Sequence, residues 1–316
     1  MEKKKILGLS FGRKMSNTEV MVKHALMACQ EAGHDVRFIR VNDLDIKDCT
    51  GCIACVVGMI MGKKGGCVLK DDFHILDEAL MECDGLIFGC PTFEMTPTGT
   101  FKTVCDRIGP SHDISFRKVA IEEGLAAGKS PEELPDQRCL KPRVGAFFSV
   151  GGAMTKNWLS FMLPTMYCMT MSMGVDIVDT YEYFGAMAYN HVVGNQPVMD
   201  RMWEMGKHVA EAVVCDDEEE RRRWRGDHEG VCPVCHCDLL TVAEDGKSIE
   251  CPVCGTYGTF SVEDGKLKAH FTKEQQARSR LYYAGKLEHS TEIKTCAAPP
   301  GQIPDLQERL KPYRWE

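Results

Sequence analysis

Eight of the chain's seventeen cysteines fall into two compact groups, and their spacing is that of metal ligands. In the first group, 48-DCTGCIACVVGMIMGKKGGCVLKDD-72, Cys49, Cys52 and Cys55 follow the pattern C-x2-C-x2-C, with Cys67 further along. Three thiolates two residues apart can wrap one corner of a cubane, and a fourth from beyond closes it. Zinc usually takes paired C-x2-C units, so the triple points to a 4Fe–4S cluster; the alternative is that these cysteines carry no cluster. In the second group Cys232, Cys235, Cys251 and Cys254 read C-x2-C-x15-C-x2-C. This is the spacing of a closed tetrahedral site of four sulfurs, two knuckles with Gly255 allowing the second turn. Zinc suits the short spacer, and iron is the alternative because the C-P-x-C-G knuckle is also used for mononuclear iron. His236 and Cys237 adjoin the site as bystanders.

A third constellation has no cysteine. Ser10-Phe11-Gly12-Arg13-Lys14-Met15-Ser16-Asn17-Thr18 stands between an apolar run and a helix-like stretch. Unpaired amides at a helix N-terminus favour a phosphate. Ser10, Ser16, Asn17 and Thr18 can donate hydrogen bonds, and Arg13 can add charge-assisted ones. Neither G-x-x-x-x-G-K-[ST] nor G-x-G-x-x-G is present, which disfavours ATP and a dinucleotide of the Rossmann type.

The elements that must carry these groups alternate. Strand-like segments are expected at 3–11, 35–43, 84–93, 142–152 and 174–183, with helices at 72–83, 98–108, 157–173 and 197–214 between and after them. That order predicts an α/β fold with a five-stranded parallel sheet covered on both faces. Residues 110–141 read as an insertion, and the mixed acidic–basic block within 215–227 as a linker. A small metal ribbon built on the second group of four cysteines is expected over 228–262, followed by a helix and tail over 263–316.

Composition sets the outer limits. With 316 residues, 44% hydrophobic and 27% charged, the chain has the profile of a globular protein with one core domain and an appendage. No apolar run approaches the ~20 residues that cross a bilayer. The net charge of −8 argues against a nucleic-acid partner. An odd number of cysteines clustered in C-x-x-C units indicates metal rather than disulfides, and a cytoplasmic protein.

The stretch S-x-x-R-x-x-S-N-T, followed by P-T-F-E-M-T-P-T-G-x-F-K-x-x-x-D-R from Pro91 to Arg107, resembles the flavodoxin-like NADPH-dependent FMN reductase family, in its iron–sulfur flavoprotein branch. The likeness covers about residues 1–214. It implies a flavodoxin-like doubly wound FMN-binding domain, with the FMN phosphate on Ser10, Arg13, Ser16, Asn17 and Thr18. It also implies that Pro91, Thr92, Phe93 and Glu94 run along the isoalloxazine edge, with Gly151, Gly152 and Ala153 approaching from the other side. The chain departs from the branch in the eleven residues V-V-G-M-I-M-G-K-K-G-G between Cys55 and Cys67, a longer gap than the family pattern.

Three functions are open to such a chain. The leading one is an oxidoreductase passing electrons between FMN, a 4Fe–4S cluster and a partner such as ferredoxin or a small-molecule acceptor. The second is a cluster-free reductase using NAD(P)H on quinones, nitro compounds or an unsaturated metabolite. The third is a redox-sensing flavoprotein that binds a partner. The resemblance further implies a homodimer or homotetramer. No residue stands out as a catalytic acid or base; His112, Tyr189 and His191 lie in or near segments that could line the flavin face, and each reads as ordinary surface or packing.

Overall fold

A computed structural model describes residues 2–61, 65–186, 191–296 and 304–314. Tyr189 and part of the long gap before Cys67 lie outside the described residues. The core alternates as the sequence predicts: β1 (Lys5–Ser10), α1 (Asn17–Glu31), β2 (Asp35–Arg40), α2 (Ala54–Ile60), α3 (Phe73–Glu82), β3 (Gly85–Phe93), β4 (Thr96–Pro97), α4 (Gly99–His112), α5 (Ile114–Ala126), β5 (Arg143–Val150), α6 (Met162–Met166), α7 (Cys168–Met171), β6 (Val175–Tyr183) and α8 (Gln196–Ala212). Five strands pair in parallel in the order β2-β1-β3-β5-β6, and the two-residue β4 turns back on the end of β3. The reversal beside β1 creates a switch point at the strands' C-terminal ends, where open α/β sheets take ligands.

Burial on both faces explains the near-continuous apolar strands; every residue of β5 is buried. Alternate residues feed two cores. Ile6, Ile87, Val144 and Phe148 pack under α1 and α8. Leu7, Leu86, Phe88 and Phe147 pack on the opposite side, with α3, α4 and Met162 and Met166 of α6. The helix expected over 157–173 is instead a short 3-10 turn followed by α6 and α7. Pro164 has no N–H to donate to an upstream carbonyl, so a helix can hold it only in its first turn, as α6 does.

The C-terminal part begins at α9 (Glu218–Arg222), formed from the acidic–basic block. Arg221 and Arg222 pair with Asp176 of β6 at 3.1 and 2.8 Å, and the Arg225 amide donates to the Val178 carbonyl at 2.8 Å. A four-stranded antiparallel sheet follows: β7 (Thr241–Val242), β8 (Ser248–Glu250), β9 (Tyr257–Glu263) and β10 (Lys266–His270). Then come α10 (Lys273–Ala277), α11 (Tyr283–Cys296) and α12 (Leu306–Leu310). The ribbon does not hang free, because its four-cysteine centre and Val253 belong to the same apolar cluster as Leu159, Met162 and Tyr167.

α11 lies along α5 and buries Lys286, which is only 5% exposed. Burial pushes its pKa down to about 8. A lysine with a depressed folded pKa leaves the unfolded chain binding more protons between pH 8 and 10.5, so its contribution to stability improves as pH rises through that window. Lys286→Met is expected to stabilise the protein by on the order of 2 kcal/mol at pH 7. The gain over wild type should shrink toward pH 10.5 in thermal melts taken across pH.

Candidate flavin cleft and cysteine centres

The β1–α1 turn is braced by a helix cap and by side-chain hydrogen bonds from both sides. Ser16 is the N-cap of α1, its Oγ accepting from the Glu19 amide at 3.5 Å. The Ser10 hydroxyl accepts from the Gly12 amide at 3.2 Å, and Phe11 is tied to the Gly89 carbonyl at 3.0 Å. Asn42 donates to the carbonyls of Phe11 and Gly12 at 3.1 and 3.3 Å, bracing the turn from the β2 side. A Cβ on Gly12 would lie 2.6 Å from Ser16 Oγ and 2.8 Å from Thr18 Cβ, so the loop closes only around a glycine.

Beside this turn opens a cleft of about 740 Å³, large enough for a mononucleotide. Arg13, Ser16, Asn17, Thr18, Pro91 and Thr92 line it, with Phe93 and Gly152. Ser10 lies beneath it, fully buried. Glu94, Gly151 and Ala153 are not among its lining residues. Glu94 sits with Met95 at the tip of the β3–β4 hairpin, both at positive φ (46° and 67°), a turn that usually calls for Asn or Gly. Gly151 and Ala153 spend their backbone groups on Tyr183, Gly185 and Ala186. Asn17 Oδ1 accepts from the Val192 amide at 2.9 Å, so this side chain also fixes the loop opposite.

Sequence reasoning passed over Gly12, Asn42, Thr98 and Thr100. The spacing of Thr98 before Phe101 was the available signal for one of them: Thr98 caps α4, accepting from the Phe101 amide at 3.3 Å. His191 also lines the cleft, but its Nε2 is engaged with the Met15 carbonyl at 3.0 Å, and it serves to hold the turn.

The cleft fits FMN on an observation of its own. Thr92 Oγ1 is buried with no hydrogen-bond partner, an expensive state for a hydroxyl unless a ligand supplies one. Thr92→Val keeps the shape and removes that group. It is expected to weaken FMN binding about fivefold to tenfold, as loss of one hydrogen bond would, while leaving thermal stability of the FMN-free protein unchanged or raised. A titration of FMN fluorescence alongside melting measures both.

The four thiols of the second group converge. Cys232 Sγ lies 3.4 Å from Cys254 Sγ and Cys235 Sγ lies 3.3 Å from Cys251 Sγ, all four sulfurs are within 4.8 Å of one another, and all four residues are buried. Tetrahedral metal–sulfur bonds would space such sulfurs about 3.8 Å apart. The knuckles match: His236 N donates to the Cys232 carbonyl at 2.9 Å and Gly255 N to Cys251 at 2.8 Å. After the second knuckle Gly255 takes φ +71°; after the first, His236 takes φ +56°. His236 is held there by stacking on Trp224, ring centroids 3.9 Å apart, and by the Glu229 carbonyl at 2.7 Å. Hydrogen bonds among the packed thiols lower Cys251 and Cys254 and raise Cys232 and Cys235, so two of the four are poised to ionise first and a metal needs all four ionised. A fifth buried thiol, Cys237, accepts from the Leu239 amide at 3.3 Å.

The first group is more open. Cys49 and Cys52 are exposed, Cys55 and Cys67 half-buried. Burial raises the Cys55 thiol, and the charges of Cys67 and Cys49 add to it through space. The Ala54 amide and the Thr50 hydroxyl lower Cys52. Among the described residues these sulfurs do not close on a single point as the other four do; a cubane binds through four separate irons and needs no such convergence. Beneath the loop, buried Arg107 donates to the Lys47 carbonyl at 2.7 Å and to Asp71 at 2.5 and 3.1 Å, and it interacts with the Cys67 sulfur. Its hydrogen bonds hold the Asp71 carboxyl down at about 2.

Known proteins fit this geometry. Residues 5–173 match the family model described as NADPH-dependent FMN reductase. The chain is 30% identical over 299 residues to a flavone synthase of Aspergillus candidus, covering 92% of this chain and 88% of that protein. It is 35% identical over 103 residues to an iron–sulfur flavoprotein of Methanocaldococcus jannaschii, a match spanning 33% of this chain and half of that one. A solved flavone reductase superposes with a TM-score of 0.80 at 28% identity, over 98% of this chain and 96% of its own. Among the described residues no helix is long and apolar enough to cross a membrane. A mononucleotide-sized cleft at the switch point and these likenesses together place the chain in the NADPH-dependent FMN reductase family, as an FMN-dependent oxidoreductase.

Proposed function

We propose that the protein is an FMN-dependent reductase that draws electrons from NAD(P)H and saturates a carbon–carbon double bond conjugated to a carbonyl in a flat, flavone-like molecule. The likeness to a flavone reductase over nearly the whole chain, ribbon included, carries this reading. The net reaction adds two electrons and two protons across one double bond, oxidising one NAD(P)H. Bound FMN supplies the two-electron chemistry. The chain's own residues bind and orient: the Ser10–Thr18 turn would hold the phosphate, and Thr92 would meet a flavin edge. Phe93, 64% exposed beside the cleft, would offer a face on which a flat ring can stack.

The second group of cysteines would hold zinc, since four buried thiols close the coordination shell. Exposed Met154, Trp158 and Phe161 support burial against a second copy in a homodimer or homotetramer. The test is anaerobic turnover of the FMN-loaded protein with NADPH or NADH and flavone. Oxidation of the nicotinamide matched by flavanone formation is expected; nicotinamide oxidation that flavone does not change would overturn the reading.

The run Cys49, Cys52, Cys55 at C-x2-C-x2-C, with Cys67 against buried Arg107, favours a second reading, in which a 4Fe–4S cluster in loop 48–72 passes electrons between FMN and a protein such as ferredoxin. About four irons and four sulfides per chain in anaerobically purified protein would support it. Their absence would leave these cysteines without a cluster.

A further inference from the structure

A second cavity, of about 320 Å³, lies where the ribbon meets the edge of the parallel sheet. Its floor is Leu163, Pro164 and Tyr167, one wall is Tyr181, Glu182 and Phe184 at the end of β6, and the other is the first knuckle from Cys235 to Leu239. No residue lines both this cavity and the flavin cleft. They are separated by a thin partition, residues 151–153 hydrogen-bonded to 183–186. In it Gly151 N donates to the Tyr183 carbonyl at 2.9 Å, Gly185 N to Ala153 at 2.8 Å, and Ala186 N to Gly151 at 2.9 Å. Gly152 and Ala186 face the cleft; Glu182 and Phe184 face the seam.

The polar groups of the seam are unevenly matched. Lys156 and His228 both bind Asp238, the histidine at 2.9 Å, and Arg201 is held by Asp179 and Asp227. Their charges are therefore answered within the protein. Glu182 is different: its carboxyl is half-buried in the seam with no hydrogen bond or ion pair to another described residue. An anion entering here would meet Glu182 and Asp238, and a cation would meet Lys156 and Arg201 in the same lining. What the cavity lacks is a neutral partner with an apolar ring for Leu163, Phe184 and Tyr181 and one hydroxyl for Glu182.

We propose that this seam is a second small-molecule site, separate from the flavin cleft, that takes a neutral hydroxylated aromatic ring, with the hydroxyl donating to the Glu182 carboxylate. A binding site whose two walls belong to the sheet and to the metal ribbon would make ligand capture depend on the ribbon being folded. That gives the four-cysteine centre a part in recognition as well as in stability.

The experiment is calorimetric titration of the full chain, loaded with FMN and metal, with 2-naphthol and with naphthalene as the ring lacking a hydroxyl. Saturable binding of one 2-naphthol per chain is expected with FMN in place, with naphthalene at least about tenfold weaker, as loss of a hydrogen bond to a charged group implies. Leu163→Trp, which fills the cavity, should weaken 2-naphthol by a similar factor while FMN affinity stays unchanged. Glu182→Gln, which should not disturb folding, should abolish most of the preference for 2-naphthol over naphthalene. No saturable binding to the FMN-loaded chain would overturn the proposal. So would 2-naphthol affinity and preference unchanged in Glu182→Gln, whatever becomes of the folding of Leu163→Trp.

Discussion

Cys251→Ser protein will purify without stoichiometric metal at the ribbon, melt about 6–20 °C below wild type, and be cut by protease within 228–296. Three buried thiols cannot close a tetrahedral shell, and the binding free energy of a structural site of this kind is folding free energy. The ribbon's antiparallel strands are short, and its β9 and β10 faces are largely exposed, so little else holds it. The loss will reach the core domain because Tyr167, between α6 and α7, donates its hydroxyl to the Cys235 carbonyl at 2.6 Å and packs in one cluster with the thiols. A loss of about 3–5 kcal/mol converts to that Tm shift at roughly 2–4 °C per kcal/mol. FMN affinity should stay within about threefold of wild type, since no ribbon residue lines the cleft. Metal analysis, limited proteolysis and FMN titration on one preparation check all three outcomes. If Cys237 moves in as a replacement ligand, metal and Tm will both be retained, and the prediction fails.

Gly12→Val will lose FMN binding about 100-fold or more, the largest effect expected from any single change in the cleft. The added Cβ meets Ser16 Oγ at 2.6 Å and Thr18 Cβ at 2.8 Å, and neither can retreat. Ser16 caps α1, and Thr18 is 2% exposed against β3. Opening the turn to admit the side chain moves the amides and hydroxyls that would meet the phosphate, and a displacement of this size in a preorganised anion site removes most of its contacts together. The fold itself should survive, at a cost of about 1–3 kcal/mol for overpacking. Fluorescence titration with FMN, read beside a melting curve, separates the two. Affinity within about tenfold of wild type would mean that the phosphate does not sit in this turn.

What could be read beforehand follows the range of the physics involved. Strands such as Arg143–Val150 are legible because burial on both faces writes an unbroken apolar run. The cysteine groups are legible because ligand spacing along the chain is short-range geometry. The late start of the helix at Met162 is not legible although Pro164 is in plain view, because the apolar pattern before it continues at helical spacing. The hairpin at Glu94 and Met95 could not be read, since neither residue type prefers positive φ; tertiary structure imposes it. Resemblance alone brings Gly151 and Ala153 to the flavin, and no local pattern shows that their backbone groups also bond to residues 183–186. The seam itself joins residues 156 to 239 and is set by how two sheets dock, which no local pattern records.

The amide of Arg225 bonded to the Val178 carbonyl has a consequence for solubility. β6 is the outer strand of the parallel sheet, and an outer strand with free carbonyls and apolar neighbours is a template on which another chain can pair. The segment that leads into the ribbon lies along it, with Arg221 and Arg222 clasping Asp176. The C-terminal third therefore works as a guard rail for the sheet edge. A chain cut after residue 214 would retain the FMN cleft and yet associate edge to edge, so its aggregation should rise steeply with concentration.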